Sequence, residues 1–346
     1  MESILLIAVK YRNYEYALAE MISLIETLDA HVDMTVTMHK DLVSNASYLG
    51  KGKIEEVRLI LEKFQIETMV INDNISPAQK RALEESLKVK VLDRTEIILA
   101  IFSSRAISME AKIQVEMAQL RYLMPRLTRM WTHLSRQKGG IGMKGVGETQ
   151  LETDRRVLRQ RVTKLREDLD DVRKSRDVQR KQRIRSGLPV VALVGYTNAG
   201  KSSLFNAFNG KSVLAKDQLF ATLDTITKKV VTPNQCQFYI VDTVGFISEL
   251  PHFLIEAFKA TLEEVLLADV LIHVIDRSNP SYIAQIEAVN EVLHELKIDE
   301  KPIILAYNKL DKVTEPFDLP PNAVALSVTV GTNLDRLVEK IEKALA

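Results

Sequence analysis

The 346-residue chain contains a single cysteine, Cys236, so no disulfide can close within it. It lacks the basic leader and long apolar core of a secretory signal, because Met1-Glu2-Ser3 runs straight into a short apolar stretch. Apolar runs such as Val190 to Val194 and Val270 to Ile275 stop far short of the roughly 18 residues needed to cross a bilayer. No membrane insertion is expected. A reducing cytosol is the expected address, with peripheral attachment at a membrane left open. Nor is there an excess of charge: 47 Lys and Arg stand against 46 Asp and Glu, so any surface for nucleic acid must come from local clustering. What is plentiful is apolar side chain, 46% of residues, enough to give each of two or three domains its own core.

From Ile4 to about Arg94, short apolar runs (Ile4 to Val9, Val32 to Thr37, Thr68 to Ile71, Val89 to Leu92) alternate with amphipathic stretches, the pattern of a small α/β domain. Ser76-Pro77 supplies an N-cap and a first helical residue for the last of these stretches. From about Thr95 the chain turns helical, and Met109, Ile113, Met117, Leu120 and Met124 predict one buried face on a helix ending near Pro125. Leu151, Leu158, Val162, Leu165, Leu169 and Val172 mark a second helix on a seven-residue repeat, so a hairpin is expected. Between the two, Gln137 to Gly147 holds five of the 13 glycines and reads as a flexible tip rather than helix or strand. After the hinge Arg185-Ser186-Gly187-Leu188-Pro189, strands and helices alternate again. The expected organisation is an α/β fold in three parts: an N-terminal α/β domain (1–100), a long helical hairpin (101–186) with its glycine-rich tip near 137–149, and a doubly wound, mostly parallel domain (187–346).

Charge clusters on the second helix, where Asp154 to Arg185 carries thirteen Lys or Arg against six Asp or Glu. A solvated coiled-coil face would account for that. The glycine tip points further: Lys138 and Lys144 sit among residues with almost no side-chain bulk, and Arg126, Arg129 and Arg136 lie nearby. A backbone of that kind can approach a polyanion closely, so RNA contact by these five residues is expected.

Gly195-Tyr196-Thr197-Asn198-Ala199-Gly200-Lys201-Ser202 matches G-x-x-x-x-G-K-S, with an apolar strand before it and a helix beginning near Ser203 after it. In that context the glycines let main-chain amides wrap phosphates, Lys201 neutralises the β and γ phosphates, and the Ser202 hydroxyl ligates Mg2+. A strand ending in Asp242-Thr243-Val244-Gly245 supplies an acidic residue able to hold the cation through water and a glycine amide able to approach the γ-phosphate. Asn308-Lys309-Leu310-Asp311 supplies base selectivity: the Asp311 carboxylate can accept two hydrogen bonds from guanine, whereas adenine offers an acceptor in place of the first donor and nothing in place of the second. Asn308 would support the base and the phosphate loop, the Lys309 stem would flank the base, and Ser327-Val328 would close the far side. GTP and GDP are therefore the expected ligands.

Between these motifs, Phe220-Ala221-Thr222-Leu223-Asp224 reads as a switch loop whose Thr222 would ligate Mg2+ only when a γ-phosphate is present, with Thr225 and Thr227 close enough to compete. Phe246 stands where many signalling GTPases place a water-orienting glutamine. Slow hydrolysis by the protein alone, needing an activator or another internal group, is expected.

Together with Leu49-Gly50-Lys51-Gly52-Lys53, Ile75 to Arg81, Asp93-Arg94-Thr95, Gln114 to Leu120 and Gly139 to Glu152, these motifs resemble the HflX family of ribosome-associated P-loop GTPases over nearly the whole chain. That resemblance implies binding to the large ribosomal subunit and its RNA in the GTP state, separation of stalled ribosomes into subunits, and stimulation by the ribosome. It would place the glycine-rich tip in ribosomal RNA near the peptidyl-transferase centre. A monomer is expected. Where the family usually has Leu-Asp-Pro-Thr-Thr-Arg, the chain has Leu223-Asp224-Thr225-Ile226-Thr227-Lys228, which loses a rigid proline. The last helix, Leu334 to Leu345, is expected to complete the GTPase domain without the extra C-terminal domain of some relatives. The alternatives are a large-subunit assembly or translation-control GTPase that does not split ribosomes, and ATP-dependent RNA remodelling by the N-terminal region, where no Walker-type motif is present.

Overall fold

The computed structural model describes residues 2–10, 14–130, 146–209, 219–251, 253–254, 259–298 and 301–346. These residues fall into two compact units, one made of 2–104 with 115–168, the other of 105–114 with 169–346.

The first unit is built on four parallel strands, β1 (Glu2–Lys10), β2 (Ala30–His39), β3 (Thr68–Ile71) and β4 (Lys90–Asp93), in the order β2-β1-β3-β4. Every residue from Ile4 to Val9 is buried, as a central parallel strand covered on both faces requires. The crossovers are α1 (Tyr14–Thr27), α2 (Lys51–Phe64) and α3 (Pro77–Leu87). The expected start of α3 is a full capping box: the Ser76 hydroxyl accepts the Gln79 N–H at 3.3 Å, and Gln79 Oε1 accepts the Ser76 N–H at 2.9 Å.

The second unit holds a six-stranded sheet in the order β10-β9-β8-β5-β7-β6. Its strands are β5 (Val190–Gly195), β6 (Ile226–Val231), β7 (Gln237–Asp242), β8 (Val270–Asp276), β9 (Ile303–Asn308) and β10 (Ala323–Ala325), and all pairings are parallel except β6 with β7. The doubly wound, mostly parallel sheet is thus present. Its core packs Val191, Leu193, Phe238, Ile240, Val270 and Ile272 against Leu204, Phe205, Leu337 and Ile341.

Three helices join the two runs of strands: α4 (Arg94–Arg105), α5 (Met109–Met130) and α6 (Val146–Arg185). Here the structure differs from the sequence reading in several ways. The stretch from Thr95 is broken at Ala106-Ile107-Ser108, because the Ser108 hydroxyl accepts the Ala111 N–H at 3.1 Å and so starts a new helix. That helix runs through Pro125 rather than ending there; burial of Ile113, Met117, Ala118 and Tyr122 offsets the roughly 3 kcal/mol that an interior proline costs. Met109, expected on the buried face, is 62% exposed. On α6, Leu165 and Leu169 are buried, and Arg161 reaches Glu116 of α5 with two hydrogen bonds of 2.6 and 2.8 Å. Val146 to Thr149, expected in the glycine-rich tip, form the first turn of α6, where amide groups have no partner within the helix and a glycine costs little. The rest of the tip, with Arg136, Lys138 and Lys144, lies outside the described residues, as does the side chain of Arg129.

Arg126 is a correction to the expected RNA-contact set. Its Nη2 donates to Asp93 Oδ2 at 2.8 Å and to the Ile75 carbonyl at 2.9 Å, and its guanidinium lies 3.5 Å from the centre of the Tyr122 ring. Asp93 is fully buried and also accepts the Tyr122 hydroxyl at 2.6 Å. Burial pushes the Asp93 carboxyl above its usual range, and the two donors oppose that shift. The cation is thus committed to a buried anion and is withdrawn from the surface. Arg126→Ala is expected to lower stability by about 3 kcal/mol, because it leaves a buried carboxylate without its cation. Urea unfolding of the variant beside the wild type, at equal slope, measures this; a loss no larger than that of a surface arginine would refute the structural role.

Candidate nucleotide site

The site forms at the carboxyl ends of β5, β7 and β9, where an open parallel sheet leaves room for a ligand. After β5 the chain turns through Gly195 to Gly200 into α7 (Lys201–Asn209), whose first turn holds Ser202 and Ser203. Gly200 has φ +100°, and a Cβ on it would lie 2.2 Å from Asn308 Nδ2. The loop can therefore approach the guanine-side residues only with glycine there. Thr197, Asn198 and Gly200 to Ser203 line one cavity with Phe220, Ala221, Thr222, Thr243 and Gly245. A larger groove runs along α6 past Arg156, Arg159, Lys164 and Glu167 but contains none of the motifs. Ala199 faces the core instead.

Lys201 is buried and donates to the carbonyls of Gly195 at 3.1 Å and Tyr196 at 2.8 Å. Burial pushes its ammonium down to about 8, and the Asp242 carboxylate works against that shift. Ser202 Oγ and Thr222 Oγ1 are 2.6 Å apart, and Thr222 donates to Asp242 Oδ2 at 3.1 Å. Asp242 is fully buried, and its Oδ1 has no hydrogen-bond partner. Burial raises its carboxyl, while Ser202, Lys201 and Thr222 lower it. Two hydroxyls and a carboxylate with a spare buried oxygen form a hard, oxygen-only donor set that suits a small divalent cation. Of the three candidate threonines, Thr222 is the one joined to both Ser202 and Asp242.

The segment after β7 is bound to the phosphate loop by its main chain. Thr197 N–H donates to the Phe246 carbonyl at 2.8 Å, and Phe246 N–H donates to the Gly195 carbonyl at 3.1 Å. The Tyr196 hydroxyl accepts the Ser248 N–H at 2.7 Å. Thr243 turns its hydroxyl to the Leu193 carbonyl at 2.6 Å, and Leu223, Val244 and Phe246 are buried. A Cβ on Gly245 would lie 2.7 Å from the Thr197 backbone, so a side chain there would push the two segments apart. Phe246 offers no polar group to a water molecule.

On the base side, Asn308 Nδ2 donates to the Ala199 carbonyl at 2.9 Å while its Oδ1 accepts the Val328 N–H at 3.1 Å, so one side chain ties the phosphate loop to the far side of the pocket. Asp311 lies on a short turn (Leu310–Lys312), and Ser327 Oγ donates to its Oδ1, holding the carboxylate below its usual range. Lys309 adopts a left-handed backbone, and its ammonium pairs with Asp276 at 2.7 Å, which fixes the stem beside the pocket. Asp276 escaped the sequence reading, although an acidic residue ending a strand beside a motif lysine was a visible signal. His273, buried on β8 near Lys201, also escaped it; burial first, and then that cation, push the imidazole down to about 4, so it stays neutral.

Asp311→Asn is expected to weaken GTP binding about a hundredfold through loss of a charged double acceptor, and to improve binding of xanthosine triphosphate, whose 2-oxo group can accept from the new amide. Competition titrations of the two nucleotides check this; unchanged GTP affinity would remove Asp311 from base recognition.

The chain matches three family models: "GTP-binding GTPase N-terminal" over residues 15–103, "GTP-binding GTPase Middle Region" over 105–183 and "50S ribosome-binding GTPase" over 190–309. GTPase HflX of Caldanaerobacter subterraneus subsp. tengcongensis is 45% identical over 331 residues, covering 96% of this chain and 77% of its own. GTPase HflX of Escherichia coli (strain K12) is 42% identical over 336 residues, covering 95% of this chain and 79% of its own. Among solved structures, a GTP-binding protein from the hyperthermophilic archaeon Sulfolobus solfataricus in complex with GDP is 25% identical with a TM-score of 0.52, covering 99% of this chain and 98% of that one. Identity of this level along nearly the full length, joined to a complete set of guanine-nucleotide motifs gathered at one sheet end, means that the chain is a GTP-hydrolysing enzyme and belongs to the HflX family of GTPases.

Proposed function

We propose that this GTPase binds the large ribosomal subunit in its GTP-bound form and separates ribosomes into subunits, with Mg2+ held by Ser202, Thr222 and Asp242. The observation that carries the nucleotide half of this reading is the convergence of Ser202 Oγ, Thr222 Oγ1 and a buried Asp242 oxygen that lacks a partner. When bound, the cation neutralises phosphate charge; the protein's part is to hold the donors ready and to place Lys201 beside the phosphates. Thr222 lies on a loop, so its hydroxyl can report whether a γ-phosphate is present. GTP and GDP are thereby distinguished by this segment, and Asp311 separates guanine from adenine.

The ribosomal half rests on the family, on the description "50S ribosome-binding GTPase" of the model matched at 190–309, and on the basic surplus of α6. Lys138, Lys144, Arg129 and Arg136 are the proposed phosphate contacts, now without Arg126. The N-terminal α/β domain (1–100), the hairpin (101–186) and the GTPase domain (187–346) remain the proposed division, in step with the matches at 15–103, 105–183 and 190–309. Among the described residues no helix is long and apolar enough to cross a membrane. A buried Phe246 with its main chain engaged by the phosphate loop supports slow turnover by the protein alone.

GTP hydrolysis should be measured with the protein alone, with large subunits and with whole ribosomes, while subunit separation is followed in the same samples. Strong stimulation with splitting is the expected result. Stimulation without splitting would instead favour an assembly or translation-control role, and ATP turnover surviving Lys201→Ala would favour RNA remodelling by the N-terminal region. Lys138→Glu with Lys144→Glu should weaken ribosome binding and flatten its salt dependence; unchanged affinity would displace the tip from the interface.

A further inference from the structure

The segment carrying Thr222 is fastened at both ends. At its start the Phe220 N–H donates to Thr197 Oγ1 of the phosphate loop at 2.7 Å. At its end the Asp224 carboxylate meets the head of α5: Oδ2 accepts the N–H groups of Ile107 at 3.1 Å and Ser108 at 3.2 Å, and Oδ1 accepts the Ser108 hydroxyl. Ser108 is also the N-cap of α5, accepting the Ala111 N–H at 3.1 Å while its proton goes to Asp224. One carboxylate therefore takes three donors at a helix start, where the helix dipole further favours a negative charge.

The geometry makes this clasp matter for the nucleotide. Thr222 stands two residues from each anchor, and two residues span at most about 7 Å of extended chain. Thr222 and Leu223 are both buried, so little slack lies between the Asp224 anchor and the hydroxyl that meets Ser202 and Asp242. Ser108 lies 114 positions before Thr222 in the sequence, far from every nucleotide motif, yet the contacts group 105–114 with the nucleotide-binding unit.

We propose that Ser108 is a positioning residue for GTP: together with Asp224 it holds Thr222 where a cation can use its hydroxyl, so that discrimination between GTP and GDP depends on the first turn of α5. This rests on Thr222 being a cation ligand in the GTP-bound form. Ser108 touches no nucleotide itself and acts through Asp224.

The test uses the full chain and the variants Ser108→Ala, Ser108→Thr, Asp224→Ala, the Ser108→Ala with Asp224→Ala double, and Thr222→Ala as reference. Affinities for a non-hydrolysable GTP analogue and for GDP are measured at several Mg2+ concentrations, along with the Mg2+ concentration giving half-maximal hydrolysis. Thermal melts identify folded variants. Ser108→Ala and Asp224→Ala are each expected to lower the ratio of GTP-analogue to GDP affinity about three- to tenfold, the scale of about one net hydrogen bond, because these bonds are exposed to water. Both should raise the Mg2+ requirement, the double should be no worse than Asp224→Ala, and Ser108→Thr should stay near wild type. If Thr222→Ala lowers the ratio while Ser108→Ala and Asp224→Ala leave it unchanged, or weaken both nucleotides equally, the clasp has no positioning role. If Thr222→Ala itself leaves the ratio unchanged, the cation-ligand reading fails, and the clasp proposal with it.

Discussion

The nucleotide site depends on a carboxylate taken out of water. Asp242 ends a buried strand with one oxygen bonded by Thr222 and the other without a partner, beside a lysine that is itself buried. An uncompensated charge of either sign in such a place would be costly. Each lowers that cost for the other: Asp242 works against the fall in the Lys201 pKa, and Lys201 works against the rise in that of Asp242. The surrounding structure serves to keep them close. β5 and β7 are adjacent and parallel, so the loop leaving one and the acid ending the other emerge side by side. Glycine at 195, 200 and 245 permits backbone approaches that a Cβ would block.

Two buried charge clusters divide the labour of the chain. In the second unit, one oxygen of the buried Asp242 has no hydrogen-bond partner, while Lys201 is held by the carbonyls of Gly195 and Tyr196. In the first, Arg126 and Tyr122 both donate to Asp93, and Arg94 pairs with Glu20 where both are nearly fully buried. Pairs of the second kind fix one arrangement of elements, since misplacing either partner strands a charge.

Much of this was legible in the sequence where a local rule acts alone. Ser76-Pro77 specifies a helix start from two residues, and the phosphate loop specifies strand, turn and helix at once. The break at Ala106-Ile107-Ser108 was not legible, because a serine within an apolar periodicity reads equally well as an exposed helical position until its hydroxyl is seen capping Ala111. Arg126 misled for a related reason: position beside a basic, glycine-rich stretch suggested an anion outside the protein, and the anion it found, Asp93, lies 33 residues earlier. The pairing of Lys309 with Asp276 and of Asp224 with Ser108 likewise joins residues far apart in the chain. Spacing along the chain does not say which of many charged or polar residues will meet in this way; the packing of the elements decides it.

The two borders of the six-stranded sheet have a bearing on how the molecule behaves in a crowded solution. β6, the antiparallel border strand, carries Lys228 and Lys229 exposed in its middle, and β10, at the opposite border, is only three residues long. An unpaired strand border is a template on which another chain can add itself, and cationic side chains or sheer brevity are two ways of spoiling that template. The sheet is thereby guarded against the cross-strand aggregation that a longer, apolar border would invite.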